Sequence, residues 1–122
     1  MSLVRNKDTK PEIFVRRLVH SLGFRYRLHL ASMAGRPDIV LRRLRKVIFV
    51  HGCFWHRHDC PSGRKVPVAN PDYWRPKLDR NLARDTENLA RLHALGWATL
   101  TVWECELSNP AAVAARLSRF LD

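Results

Sequence analysis

The spacing of apolar and polar positions changes several times along the chain, and each change marks a predicted element. Residues 10–22 carry apolar side chains at helical spacing. Thr9 and Glu12 have the spacing of a capping box at the start of this segment, and Gly23 follows its end. Residues 24–28 alternate apolar and basic side chains, which is typical of a half-buried strand. The pattern therefore predicts a first helix followed by a first strand.

Two short apolar runs follow and predict two adjacent strands. Residues 38–41 and 47–50 are joined by the basic turn 42–46, and the second run is apolar throughout. A strand without polar positions is covered on both faces, so we expect the second run in the interior of the sheet.

The second half of the chain predicts a long loop, two helices and one more strand. Residues 51–73 hold His, Cys, Pro and Gly without a regular period, and loops of this length have a function or an internal staple. Helix 73–95, strand 98–102 and helix 111–121 follow. The leucine stripe of the first of these helices, with Pro76 near its start, is Leu78, Leu82, Leu89, Leu92 and Leu95. The predicted fold class is α/β, with a mixed central sheet flanked by helices.

The composition fits one globular domain. The chain has 122 residues, of which 46% are apolar, enough to bury a core without a disulfide framework. No apolar run approaches the roughly 20 residues of a membrane span, and the first residues lack the apolar stretch of a signal peptide. We therefore expect a single cytoplasmic domain over residues 1–122, without membrane contact.

The charge of the chain narrows its class of partner. Lys and Arg number 22 against 11 acidic residues, a formal charge of +11, and such an excess attracts polyanions. The alternative is that a GC-rich genome raises arginine usage without any ligand. We favour nucleic acid as the partner.

A group of cysteines and histidines predicts a metal site in the long loop. Cys53, His58 and Cys60 lie within eight residues, and Cys105 follows the last predicted strand. Three thiolates and one imidazole form a set that holds structural zinc. The spacing leaves the imidazole open, because His51 and His56 are also near. The alternative is that Cys105 is a small buried residue and the loop thiols bind nothing.

A carboxylate and two imidazoles are expected to meet where two strands adjoin. Asp38 begins one strand, and His51 and His56 follow the next. A carboxylate with main-chain oxygens suits magnesium, and an imidazole can take a proton from an attacking water near neutral pH. Together they predict a metal-assisted phosphodiesterase. The alternative for Asp38 is a turn residue after proline.

Glu12 and the loop aromatics each have two interpretations. Glu12 closes the capping box, or it contacts a metal-bound water from a helix beside the sheet. Phe54 and Trp55 stack on bases or wedge between them, with Trp74 beside them, or one of them packs on the metal loop. Trp97 and Trp103 bracket a predicted core strand and are expected to be structural.

These residues form a pattern that resembles a known family. The string 47–56, with Gly35-Arg36-Pro37-Asp38 before it and Trp103-Glu104-Cys105 after it, closely resembles the very short patch repair (Vsr) DNA mismatch endonucleases. The resemblance extends over nearly the whole chain, from Lys7 to Cys105.

The resemblance implies a PD-(D/E)xK-like nuclease core and a cut 5′ to the mispaired T of T:G pairs left by deamination of 5-methylcytosine. Asp38 and the main-chain oxygen of Val50 would bind Mg²⁺, and His56 would act as general base. His51 and Glu12 would hold metal-bound waters. The implied partner is double-stranded DNA, cut by a monomer in the bacterial cytosol.

The resemblance also implies roles for the loop. Its zinc ligands correspond to Cys53, His58, Cys60 and Cys105, which selects His58 as the imidazole ligand for Zn²⁺. The residues that would open the duplex beside the mismatch are Phe54, Trp55 and Trp74.

Three departures from related patterns bear on function. An ordinary nuclease of this type has Glu-x-Lys on the strand after Asp38. Here that strand ends in His51, and members of the Vsr family also have a histidine in place of the lysine. Val50 stands where the best-known members have threonine, which is harmless if that position acts through its carbonyl oxygen and weakens metal binding if it needs a hydroxyl. The chain begins later than typical members, whose basic N-terminal arm clasps the duplex; residues 1–6 correspond to a remnant of that arm.

Two alternatives to mismatch nicking remain at this stage. A Vsr-like nuclease can act on other DNA, for instance in restriction of foreign or modified DNA, because fold and metal centre do not determine substrate. A zinc-stabilised module can also bind DNA without catalysis, in which case Asp38 and His56 are structural.

Overall fold

The computed structural model describes residues 9–28, 32–56, 58–61, 63–64 and 69–122. The expected N-terminal arm lies outside these residues. The observed elements are α1 (Lys10–Ser21), β1 (Arg27–Leu28), β2 (Ile39–Leu41), β3 (Lys46–His51), α2 (Pro71–Ala94), β4 (Ala98–Trp103), a short 3-10 helix (Glu104–Ser108) and α3 (Pro110–Leu121). The predicted order of helices and strands is confirmed, and the 3-10 helix is an addition to it.

The four strands form one mixed sheet in the order β1-β2-β3-β4. β2 is antiparallel to both of its neighbours, β1 and β3, and β4 lies parallel to β3, with Val50 opposite Val102. β3 therefore has a neighbour on each side, and Val47, Ile48 and Phe49 within it are buried. The prediction that this apolar run is an interior strand is confirmed.

The antiparallel pairing of β2 and β3 gives the sheet two chemically different ends. Asp38, just before β2, and His51, the last residue of β3, lie at one end, which we call the His51 end. The turn 42–45 between the two strands lies at the opposite end, which we call the turn end.

Apolar side chains cover both faces of the sheet. Ile39, Leu41 and Ile48 belong to a cluster with buried residues of α1 and α3, whereas Val40 and Val47 belong to a cluster with Leu92 of α2. Alternate residues of β2 thus point to opposite faces, as the pleat of a strand requires. Fully burying one such side chain contributes about 1.5–3 kcal/mol.

The first strand is shorter than its pattern predicts. Of the described residues in this segment, Arg27 and Leu28 pair with β2, although residues 24–28 alternate as a strand does. Phe24 and Tyr26 still pack against the cluster formed with α1 and α3. The alternation therefore correctly predicts which side chains face the core, while the hydrogen-bonded ladder begins later.

The predicted stripe of α2 is partly wrong. Leu78 and Leu92 are buried, but Leu82 and Leu95 are 45% and 65% exposed. The helix begins at Pro71 rather than Tyr73, so Pro76 lies inside it. At about 100° per residue, the line from Leu78 to Leu92 passes through Asn81, Asp85 and Asn88. These three polar side chains are half-buried, and they take the inward positions that the leucine pattern assigned elsewhere.

Within the described part of the chain, no helix combines the length and the apolar character that crossing a lipid bilayer requires.

Candidate active site and metal centre

A cleft of about 670 Å³ opens at the His51 end of the sheet. Its walls come from the start of α1, the segment before β2, the end of β3 and the loop that follows. Among its lining residues are the five predicted to form the catalytic site: Glu12, Asp38, Val50, His51 and His56. Gly35, Arg36 and Glu104, to which the sequence patterns gave no catalytic role, also line it.

Asp38 is a mostly buried carboxyl group held in place by the neighbouring strand. The backbone N–H of Val50 donates a hydrogen bond of 2.6 Å to its Oδ2. Burial raises the pKa of Asp38 from 3.8 to about 7, an effect opposed by the hydrogen bond from Val50 and increased by the charge of Glu12. Burial thus disfavours the carboxylate form, and a cation bound in the cleft would favour it.

Glu12 serves the helix and the cleft with different atoms. Its backbone N–H donates to Thr9 Oγ1 at 3.4 Å, so the threonine hydroxyl caps α1. Its carboxylate is 5% exposed and accepts a hydrogen bond of 3.3 Å from Arg16. The cap by Thr9 and the place of Glu12 in the cleft are therefore compatible with each other.

His51 and His56 lie face to face in the cleft. Their ring centroids are 3.7 Å apart, and the planes differ by 6°. Burial, with a smaller contribution from the neighbouring His56, lowers the pKa of His51 from 6.5 to about 4. His51 is therefore neutral at physiological pH, with a lone pair free to accept a hydrogen bond.

Asp85 is a member of this site that the sequence patterns missed. Its Oδ2 lies 2.5 Å from Nδ1 of His56. An imidazole that donates from Nδ1 keeps Nε2 as its proton acceptor, so the carboxylate selects the tautomer that a general base needs. Its signal in the sequence is its spacing of seven residues from both Leu78 and Leu92, which places a charge on the inward face of α2. The ligand atoms of His51, His56 and Asp85 also lie close enough to hold a metal ion.

The four predicted zinc ligands are brought together beside the cleft. The ligand atoms of Cys53, His58, Cys60 and Cys105 all lie within 4.8 Å of one another. The Cys105 Sγ and His58 Nδ1 are 3.4 Å apart, which matches the separation of about 3.5 Å expected around tetrahedral zinc. The structure thus joins the loop after β3 to the segment after β4, and this cluster can bind a metal.

Two backbone amides donate hydrogen bonds to the thiols of this cluster. Cys105 N–H donates to Cys53 Sγ, and Gly63 N–H donates to Cys60 Sγ, each at 3.4 Å. The bond from Gly63 lowers the pKa of Cys60 to about 7, whereas burial raises that of Cys53 to about 12. Burial also raises the pKa of Cys105. A bound cation would favour the thiolate at all three positions.

Gly63 is a second residue that the sequence patterns missed. A Cβ at this position would lie 1.8 Å from the carbonyl oxygen of His58, which is far inside van der Waals contact. Only glycine allows the chain to pass this close to one metal-site residue while its amide contacts another. The available signal was a glycine three residues after Cys60 in a loop expected to hold a metal.

The aromatic residues of the loop, Phe54 and Trp55, are half-buried and pack against each other and against Trp74. The ring centroids of Phe54 and Trp55 are 5.0 Å apart, and each lies 5.8 Å from that of Trp74. Lys77 Nζ lies within 5.9 Å of the centroids of Trp55 and Trp74, and of Tyr73 beside them. The three predicted DNA-contacting aromatics therefore form one cluster, with a cation above it.

The two tryptophans expected to be structural have different surroundings. Trp97 packs on the α2-side cluster, with the guanidinium of Arg45 at 4.8 Å from its ring. Trp103 stacks on His58 at 4.3 Å and contacts His51 edge-on at 5.3 Å. Trp103 therefore connects the metal cluster to the histidine pair.

These features define a class of protein. A mixed α/β sheet presents a buried carboxylate and a carboxylate-held imidazole in one open cleft, on a chain with a formal charge of +11. These are the features of a hydrolase that acts on a polyanion.

Comparisons with known proteins identify the family. Residues 1–62 match the family described as "DNA mismatch endonuclease Vsr". The "Type II nicking enzyme V.XorIIP" of Xanthomonas oryzae is 51% identical over 122 residues, covering 100% of this chain and 89% of the relative. The "Type II nicking enzyme V.NmeAIP" of Neisseria meningitidis is 42% identical over 121 residues, 99% of this chain and 86% of the relative. The "DNA mismatch endonuclease Vsr" of Escherichia coli is 42% identical over 107 residues, 88% of this chain and 68% of the relative.

The chain belongs to the Vsr family, and it is a Vsr-like nicking endonuclease whose substrate is DNA. The resemblance inferred from the motifs is confirmed. Membership of an endonuclease family favours an enzyme over the non-catalytic zinc module considered from the sequence.

Proposed function

We propose that this protein nicks one DNA strand 5′ to the mispaired T of a T:G mismatch, as arises by deamination of 5-methylcytosine, through Mg²⁺-dependent hydrolysis. The observation that carries the proposal is the convergence of Asp38, His51 and His56 in one cleft, with His56 oriented by Asp85. The E. coli relative, a mismatch endonuclease by name, supports the choice of substrate.

Each side chain of the cleft has a proposed task. Asp38 and the main-chain oxygen of Val50 would hold Mg²⁺, which when bound polarises a phosphodiester oxygen. His56 takes the proton of the attacking water at Nε2, and Asp85 stabilises the resulting imidazolium. His51 and Glu12 would hold the waters bound to Mg²⁺. The raised pKa of Asp38 supports this fit, because a divalent cation compensates the charge that burial disfavours.

We propose that the cysteine cluster binds a structural Zn²⁺ ion. Three thiols and one imidazole with separations suited to a tetrahedral ion form a closed set, with no position left for substrate. In this proposal Cys53, His58, Cys60 and Cys105 hold the loop that carries His56 and the aromatic cluster. The catalytic imidazole is then placed by the zinc loop on one side and by Asp85 on the other.

The aromatic cluster is proposed to open the duplex. Phe54, Trp55 and Trp74 present π faces on which unstacked bases can lie, and wedges of this kind separate base steps. The half-buried state of the rings supports a preformed wedge, because little ordering is then needed when DNA binds.

Further properties follow from the same proposal. We infer that residues 1–122 act as one PD-(D/E)xK-like unit, and as a monomer, because a single chain supplies every proposed catalytic residue. We place its action in the bacterial cytosol, where its DNA substrate lies.

The substrate proposal is tested with three duplexes that differ at one base pair. T:G, C:G and T:A versions of one labelled duplex are incubated with the protein and Mg²⁺, and His56→Ala serves as the inactive control. We expect nicking of the T-bearing strand of T:G alone, 5′ to the mispaired T. Equal nicking of all three duplexes would exclude mismatch specificity while leaving the nuclease assignment intact.

A second candidate is nicking of other DNA in connection with restriction. The observation that favours it is the name of two of these relatives, "Type II nicking enzyme", which does not mention a mismatch. The three-duplex assay separates the candidates, because equal nicking of all three duplexes supports this one and excludes mismatch specificity.

A further inference from the structure

A second cleft, of about 560 Å³, lies at the turn end of the sheet, away from the catalytic cleft. It is formed by the chain between α1 and β1 and by β2 with the turn that follows. Its exposed charged side chains are Arg25, Arg27, Arg42 and Arg43, which we call the arginine face. None of the described residues that line this cleft is acidic.

The pairing of β1 with β2 places these arginines together. Arg27 lies opposite Val40, so both side chains point to the face of the sheet that α2 covers further along. Tyr26 points to the other face, into the cluster with α1 and α3. Arg25 precedes β1 and Arg42 follows β2, each two residues from a member of the Arg27–Val40 pair, and both line the same cleft. The basic side chains are thus grouped by the register of the sheet.

The arginine face has no acidic partner among the described residues. Among described residues, no carboxylate lies within 4.0 Å of these four guanidinium groups. The two basic residues at the end of the same turn differ, because both are engaged in the fold. Arg45 donates to the Leu95 carbonyl at 2.6 Å, and Lys46 donates to the Phe120 carbonyl. Arg45 of the turn and Lys46 at the start of β3 thus hydrogen-bond to main-chain carbonyls, whereas Arg42 and Arg43 of the turn are exposed members of the arginine face.

Four exposed positive charges close together repel one another, and an anion relieves that repulsion. Guanidinium groups match phosphate because their planar N–H groups can donate two parallel hydrogen bonds. Arg42 follows Asp38 by four residues, which is about 14 Å at about 3.4 Å per strand residue. That distance corresponds to about four base-pair steps of a duplex, at about 3.4 Å per step.

We propose that the arginine face is a second DNA-binding surface, which holds backbone phosphates of the duplex outside the cleavage site. It contributes affinity without sequence preference, whereas the catalytic cleft and the aromatic cluster act at the cut. DNA is favoured over an acidic protein because the chain acts on DNA and carries a formal charge of +11.

The test compares two triple variants that remove the same charge. Arg25→Gln/Arg27→Gln/Arg42→Gln neutralises the arginine face. Its control neutralises three exposed arginines, one on each helix, that have no described carboxylate within 4.0 Å: Arg17→Gln/Arg84→Gln/Arg119→Gln. Affinity of the zinc-loaded proteins for a fluorescent, fully matched duplex is measured by anisotropy without Mg²⁺, between about 50 and about 200 mM salt.

We expect the arginine-face variant to lower affinity about tenfold or more, and the salt slope of log K to fall in magnitude by about 2 to 3. The control should change that slope by less than about 1, because dispersed charges release few counterions. Equal slopes for the two variants would overturn the proposal. If the triple variant has a lowered Tm, Arg25→Gln and Arg42→Gln are measured singly, each with an expected slope change of about 1.

A poly-glutamate peptide in the same assay provides the competing outcome. Peptide binding that needs the arginine face, with DNA binding that does not, would identify a surface for an acidic protein and overturn the proposal. The duplex is matched and magnesium is absent, so this result is independent of whether the enzyme is specific for T:G.

Discussion

The two ends of the same strands treat charge in opposite ways. At the His51 end, Asp38, His51 and His56 are half-buried or mostly buried and contact other residues of the cleft, and the pKa values of Asp38 and His51 are displaced towards the neutral forms. At the turn end, Arg25 and Arg42 are exposed and face no described carboxylate. Burial therefore favours the neutral forms of Asp38 and His51, whereas the exposed arginines keep a permanent charge that acts at a distance.

The ends also differ in how the backbone is held. The turn 42–45 closes on itself, with Arg45 N–H donating to the Arg42 carbonyl at 3.2 Å. The described part of the loop at the His51 end also has local backbone hydrogen bonds, such as His56 N–H to the Gly52 carbonyl at 3.2 Å, and in addition it converges on the cysteine cluster. We propose that a metal adds to the local hydrogen bonds in ordering this end.

Removal of zinc is expected to have the largest effect and to affect one end. Chelation from the zinc-loaded protein should lower Tm by roughly 10 °C or more, because the cluster connects segments far apart in sequence. Hydrogen exchange should increase in the loop around Cys53 and His58, while the amides of the β2–β3 turn stay protected. Gly63→Ala should weaken zinc retention in the same way, because its Cβ collides with the His58 carbonyl.

Pro61→Ala, an exposed change in the same loop, is the matched control for Gly63→Ala and should retain zinc. Full Tm after verified zinc removal would contradict the structural role of the cluster. Equal loss of protection at both ends would contradict the proposed difference between them.

Substitution of the general base comes next in size. His56→Ala should lower kcat by about 10²- to 10⁴-fold, and Asp85→Asn by a smaller factor, because the amide still orients the ring but stabilises the imidazolium less. Binding of a matched duplex should change little in either variant. The arginine-face variant should show the reverse, with weakened binding and nearly unchanged kcat at saturating DNA. A large kcat loss in that variant would show that the two ends are not separate in function.

The sequence predicts the positions of Asp38 and His51 at the His51 end, but it does not predict Asp85, which holds His56 there. The run 47–50 is apolar at every position, so its interior place in the sheet follows from its pattern. Asp38 and His51 then lie at one end of the strands. Asp85 escapes such reasoning, because the leucines of α2 give an ambiguous stripe. Leu82 and Asn81 differ by about 100° around the helix, and only tertiary packing decides which of them faces inward.

Gly63 and the arginine face escape for a different reason. The collision that makes glycine necessary at position 63 involves the carbonyl of His58, which a turn brings back to it. The arginines come from segments far apart in sequence and meet only through the register of β1 with β2. Local patterns predict the elements, whereas these features depend on contacts between elements.

The pH dependence of stability is the smallest effect expected, and it separates the two ends most directly. The folded protein keeps a proton on Asp38 up to about pH 7, so this group lowers the free energy of unfolding as pH rises from about 4 to about 7. His51 has the opposite sign, because only the unfolded chain is protonated between about pH 4 and pH 6.5. The two contributions nearly cancel in the unmodified protein.

Asp38→Asn removes one contribution and exposes the other. In magnesium-free buffer, its free energy of unfolding relative to the unmodified protein should rise by about 1–2 kcal/mol between about pH 5 and about pH 7. Urea unfolding of both proteins with zinc bound gives this difference, in which the shared titration of the thiols cancels. Arg25→Gln at the turn end is the control, and its difference should stay constant because guanidinium does not titrate in this range. If Asp38→Asn and the unmodified protein run parallel with pH, burial does not hold the proton on Asp38, and the contrast between the two ends rests on exposure alone.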